Sequence, residues 1–161
     1  MKTILFISTI LFTTLAQAEP VTGDFVRYKM TTVANNQSQS MDQKVEVLSV
    51  NATDGTYNTK ITISYNGMVV SETTETSDIL SATDSENALD HCAEMPADIA
   101  NIETITVPAG TFKVCHIKSE QGGVKMDQYM GKVLFGLVKS SIINSNNSTS
   151  VVFELVEVKK N

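Results

Sequence analysis

Apolar and polar positions alternate along most of this chain, and a period of two predicts strand after strand. In residues 25–32, Val26, Tyr28 and Met30 fall on one face, with Arg27 and Lys29 on the other. The polar run 35–40 predicts a loop. Val45 and Val47 then alternate with Lys44 and Glu46 in a second strand, which Asp54-Gly55 ends with a turn. The clearest alternation is 56–64, where Tyr57, Ile61, Ile63 and then Tyr65 share one face and Lys60, Thr62 and Ser64 the other. Asn66-Gly67 follows, the pair that best tolerates positive φ at both centres of a type I′ turn. Residues 68–74 should therefore return antiparallel.

From Ser71 to Asp90 the composition shifts to Ser, Thr, Asp and Glu. Thr83 and Glu86 stand at capping-box spacing, and Leu89, Cys92 and Met95 recur at helical spacing until Pro96 ends the run. A short helix with Cys92 on its buried face is the expectation. Strands are then predicted at 103–107, 111–119, 124–129, 133–143 and 151–158. Between them lie a turn at Pro108-Ala109-Gly110, another at Gly122-Gly123 and the polar run 144–149. Val151, Val152, Phe153, Leu155, Val156 and Val158 predict burial on both faces of the last strand. Short strands, local turns and one helical insertion imply a mainly β (α+β) fold, an antiparallel meander.

Residues 1–18 read as a secretory signal: Lys2 is basic, 4–15 is apolar, and Ala16-Gln17-Ala18 is a small-x-small cleavage site. No Cys follows the apolar run, so the lipid-attachment site of a bacterial lipoprotein is missing. Residues 19–161 then form a single exported β domain, periplasmic or secreted, with no integral membrane segment after cleavage. Without residues 1–18, which contain Lys2 and no acid, eleven basic side chains stand against eighteen acidic ones, a net charge of −7. Such a domain repels phosphate backbones and anionic lipid, which argues against nucleic acid as a partner and against purely electrostatic membrane adhesion.

Cys92 and Cys115 are the only cysteines, and in an oxidising compartment a single intramolecular disulfide between them is expected. It would fasten the helix to the strand holding Cys115. Closing a loop of that length stabilises a fold by about 3 kcal/mol in the chain-entropy model.

The series Glu103-Thr104-Ile105-Thr106-Val107-Pro108-Ala109-Gly110-Thr111-Phe112, then Cys115, Gly131, Phe135-Gly136-Leu137-Val138-Lys139 and a closing strand with Glu154-Leu155, resembles a group of uncharacterised exported bacterial proteins. That group shares a V-P-A-G-T-F hairpin and a late F-G-L-V-K strand. Its layout is similar to that of the outer-membrane lipoprotein carriers. The resemblance implies a curved antiparallel sheet, a half-barrel around short helices, whose concave face holds acyl chains. An arginine of the kind such carriers use near the mouth has no counterpart, since Arg27 is the only Arg.

Candidate chemistry is sparse. His91-Cys92 and Cys115-His116 suggest a Cys₂His₂ metal set with Met95 as a soft addition, but adjacent strand residues point to opposite faces and the close C-x₂₋₄-C spacing is absent. No metal and no cofactor are expected. The sequence holds no G-x-S-x-G, P-loop or H-E-x-x-H motif, and its acidic run lacks a calcium-loop signature, so no enzyme is predicted. Phe112, Val114 and His116 share one strand face and are the candidate ligand-binding residues. The expected function is non-enzymatic binding of an apolar small molecule or lipid on the concave face. The alternative is an interaction module that docks on another envelope protein through a sheet edge or apolar patch.

Overall fold

The alternating segments become nine antiparallel strands of one sheet in the computed structural model, which describes residues 19–79 and 87–161. They are β1 (Phe25–Ala34), β2 (Gln37–Asn51), β3 (Thr56–Tyr65), β4 (Met68–Asp78), β5 (Ala100–Val107), β6 (Gly110–Gln121), β7 (Val124–Gly131), β8 (Leu137–Asn144) and β9 (Thr149–Lys159). The order across the sheet is β4-β3-β2-β1-β9-β8-β7-β6-β5. Each half is a meander of hairpins, and the halves meet where β1 pairs with β9. The sheet is curved and unclosed, with β4 and β5 as its two edges.

Between β4 and β5 lies a one-turn helix, α1 (Ala88–His91), continued by a 3₁₀ turn at Cys92–Glu94. Cys92 and Cys115 are bonded, with Cα atoms 5.6 Å apart. The bridge sits in a small cluster with Ala100, Met95 and Ile117, so the helix is fastened to the β5–β6 hairpin. The signal segment 1–18 and the capping-box pair Thr83 and Glu86 lie outside the described residues; α1 begins after Asn87.

Asn66 and Gly67 both have positive φ, 50° and 78°, as a type I′ turn requires. Two expectations need correction. The loop expected over 35–40 is only the turn Asn35-Asn36, both with positive φ; Gln37 to Ser40 continue β2, paired with Ala34 to Thr31. Their side chains are exposed, so no burial demanded alternation there. The strand expected over 133–143 starts only at Leu137. Residues 133–136 form a tight turn in which the Gly136 amide donates to the Val133 carbonyl (2.8 Å) and Phe135 adopts φ 62°. The run is apolar because Leu134 is fully buried, a burial that mimics a strand. β9 is at least partly buried from Thr149 to Val158, as expected.

Val26, Tyr28, Val107, Val114, Val138 and Leu155 form the middle of the main core. Burying each such side chain contributes about 1.5–3 kcal/mol before entropy is counted. The ladder between β8 and β9 stops at Lys139–Glu154, one residue short of Leu155. The Ala109 amide, at the tip of the β5–β6 hairpin, donates to the Leu155 carbonyl at 3.1 Å. The strands β5 to β9 thus curl into a cup, the hairpin tip meeting β9 although three strands separate β5 from β9 in the sheet order. The buried carboxylate of Asp24 accepts the amides of Val21 (2.9 Å) and Asn161 (2.8 Å) and so ties the lead into β1 to the segment after β9.

Candidate functional site

Alternation along β6 puts Phe112, Val114 and His116 on one face, and the register decides what each meets. His116 pairs with Asn101 on β5 and Tyr129 on β7, while Glu103 and Asp127 are its diagonal neighbours on the same face. The His116 Nδ1 atom is 3.0 Å from Glu103 Oε1, and Nε2 is 2.6 Å from Asp127 Oδ1. The imidazole stacks on the Tyr129 ring with centroids 4.2 Å apart. Burial, with help from Asp127 and then Glu103, pushes the Tyr129 hydroxyl above the ordinary tyrosine range; Lys139 opposes them.

Both ring nitrogens of His116 therefore face carboxylates, and neither is open to a substrate proton. The two carboxylates sit on opposite edges of the ring and do not converge on one point. Among the described residues no group of three or more His, Cys, Asp or Glu is arranged to hold a metal ion. Cys92 and Cys115 are bonded to each other, and His91 is an exposed residue 3.4 Å from Glu94. The four residues of the Cys₂His₂ set do not meet.

Space opens below this cluster, at the lower rim of the cup. A groove of about 490 Å³ runs between the Pro108-Ala109 turn, the 132–134 turn and the end of β9. Phe112, Val156 and Val158 supply apolar wall over the fully buried Leu134, and Lys132, Glu157 and Lys160 stand at its rim. A second groove of about 400 Å³ shares Phe112 and Lys132 and reaches Leu89 and Asp90 of α1. Lys132 Nζ bonds Asp90 Oδ2 across it at 3.1 Å.

Of the three candidate ligand residues, only Phe112 lines these grooves. Val114 has no exposed surface and packs behind it in the core, and His116 is held in its polar cluster. Lys132, Val156 and Val158 are not among the candidate ligand residues read from the sequence, which marks Val156 and Val158 only as buried positions of the last strand. The groove lies between the 133–136 turn, whose one compositional sign is Gly136 at φ 74°, and the stretch of β9 beside the register shift at Arg27/Tyr28, which has no sign in the sequence.

No protein-family model and no curated protein matches this chain. Two solved structures share its fold. One, from Parabacteroides distasonis ATCC 8503, is assigned as a lipoprotein: TM-score 0.59 and 14% identity over 89% of this chain and 98% of that chain. The other, from Bacteroides fragilis NCTC 9343, is assigned as an exported protein with a YmcC-like fold: TM-score 0.57 and 11% identity over 88% of this chain and 98% of that chain. A lipoprotein-sorting domain from Vibrio parahaemolyticus, at TM-score 0.31 and 10% identity over 89% and 87% of the two chains, is too distant to carry an argument.

Proposed function

We propose that this chain is a non-enzymatic binding protein of the bacterial envelope, periplasmic or secreted, that holds an apolar or lipid-like ligand in the groove beneath Phe112. The observation that carries this reading is the groove itself, apolar walls left open at the one rim where the sheet curls back on β9. Its size falls within the range of small-molecule sites. The cup above it is filled by Val107, Val114, Leu134 and Leu155, so the ligand rests along the rim and does not enter the core. Burying an aliphatic chain there yields about 0.8 kcal/mol per methylene.

The test is uptake of a fluorescent fatty-acid probe by the exported protein, compared with Phe112→Ala and Val156→Asp. Saturable uptake that weakens about tenfold in both variants supports the reading, since each removes or charges apolar wall. Absence of saturable uptake by the wild-type protein ends it, as does uptake indifferent to both substitutions.

A further inference from the structure

Charge is distributed unevenly over the sheet. Residues 31–41, 61–71 and 140–153 contain no Asp, Glu, Lys or Arg, although such residues make up 19% of the chain. The register gathers these runs at one corner: Val33 pairs with Ser150, and Asp42 with Ser64. Just inside the corner a row of charges, Lys139, Glu154, Lys29 and Asp42, crosses β8, β9, β1 and β2 in directly paired positions. Beyond that row β8, β9 and β1 to β4 present only amide, hydroxyl and hydrocarbon, with Lys125 and Asp127 of β7 flanking β8.

The most exposed large apolar side chains of the described residues lie in this corner. At the β3–β4 hairpin tip Met68, Val69 and Val70 are 68%, 56% and 58% exposed, with Tyr65 beside them. We propose that this uncharged hairpin tip inserts reversibly into the surface of a lipid bilayer, binding through apolar contact and not through charge.

Three observations favour lipid over a protein partner or a second copy. The β3–β4 register skips Val70, pairing Ser71 with Ile63 and Val69 with Ser64. The apolar side chains therefore do not form a row on one face. A flat protein surface would cover only part of them, whereas a fluid interface surrounds them all. Next, a three-residue tip falls well short of the roughly 1,000 Å² that a specific protein interface buries. Finally, insertion desolvates no charge. Glu72, level with Thr62 and paired with Lys60, stands three residues behind the turn, about 10 Å. Interfacial segments penetrate about 5–10 Å, so this ion pair stays in water. At that depth water still reaches the free backbone groups of the β4 edge, which deeper burial would leave unsatisfied.

The experiment is flotation of the exported protein, its N-terminus verified by mass, with phosphatidylcholine vesicles at low and high salt. A Met68→Ser/Val69→Ser/Val70→Ser variant and a Val69→Trp variant run beside it; the chain has no tryptophan, so the introduced indole would be the sole reporter of its kind. The expected result is salt-insensitive flotation, about a tenfold loss in the triple variant, and a blue-shifted indole emission on adding vesicles. Circular dichroism shows whether the triple variant keeps its sheet. Flotation only with phosphatidylglycerol vesicles and only at low salt would overturn the proposal, as would equal flotation of the triple variant. So would failure to float combined with a cross-link to an envelope protein that the triple variant loses.

Discussion

The His116 imidazole lies nearly flat against the Tyr129 ring, tilted by 21°, with a carboxylate at each of its nitrogens. This one side chain links edge strand β5 to β7 across β6. Replacing it by Phe keeps the stacking and removes both polar contacts, and should lower stability by about 1–3 kcal/mol in urea unfolding. Glu103→Gln or Asp127→Asn should each cost less than about 1 kcal/mol, because those carboxylates are 37% and 33% exposed. A His116→Phe protein as stable as wild type would show that the contacts contribute nothing net.

Tyr28 is buried in the core and donates from its hydroxyl to the Leu137 carbonyl at 3.0 Å. Burial raises its pKa above the unfolded value of about 10. The folded state thus holds this proton longer than the unfolded one. Its contribution is complete below pH ~10 and is lost as pH rises further. Tyr28→Phe should cost about 1 kcal/mol at neutral pH and flatten the alkaline fall in Tm. An unchanged alkaline slope would assign that fall to other groups.

Reducing the Cys92–Cys115 bond, or replacing both cysteines by Ser, should lower stability by about 3 kcal/mol. The β-sheet signal in circular dichroism should persist, because the bridge anchors α1 and not the strand ladders. A thiol titration of exported protein under denaturing conditions should find none free.

A Cβ on Gly131 would lie 3.0 Å from Val138 Cγ2 and 3.3 Å from the Lys113 carbonyl oxygen. Gly131→Ala should therefore cost about 1–3 kcal/mol by overpacking, and adding Val138→Ala should cost less than the sum of the two single losses, because the truncation relieves the Cγ2 contact. Gly122 has open space around it and φ 59°, a conformation Asn adopts readily, so Gly122→Asn should cost under about 1 kcal/mol. Chemical denaturation of these variants and of Val138→Ala alone orders them.

Local geometry was legible in the sequence wherever one face is buried and the turn chemistry is explicit. The 56–65 alternation followed by Asn66-Gly67 reads as β3 and its turn without ambiguity, and two cysteines leave one intramolecular pairing. What escaped reading depends on strand neighbours. Nothing in residues 25–34 or 149–159 says that β1 and β9 pair, and that pairing with its register shift shapes the groove. Gln37 to Ser40 looked like a loop because exposed strand residues carry no apolar rhythm. Glu103 and Asp127 reach His116 only through the β5–β6–β7 register, so the polar cluster has no linear motif.

The sheet order has a consequence for the chain as a thread. Every strand pairing joins sequence neighbours except β1–β9, where the first and last strands lie side by side at the centre, held by Asp24 and Asn161, while β4 and β5 stand at opposite edges. In a version limited to residues 19–161, joining the lead into β1 to the end of β9 and opening the polypeptide between β4 and β5 would leave every pairing intact. The permuted molecule would begin at one edge of the sheet, run through it in spatial order and finish at the other. Its one long-range closure would become an ordinary hairpin, and such a permutant should fold faster than the natural chain, since local pairing lowers the contact order.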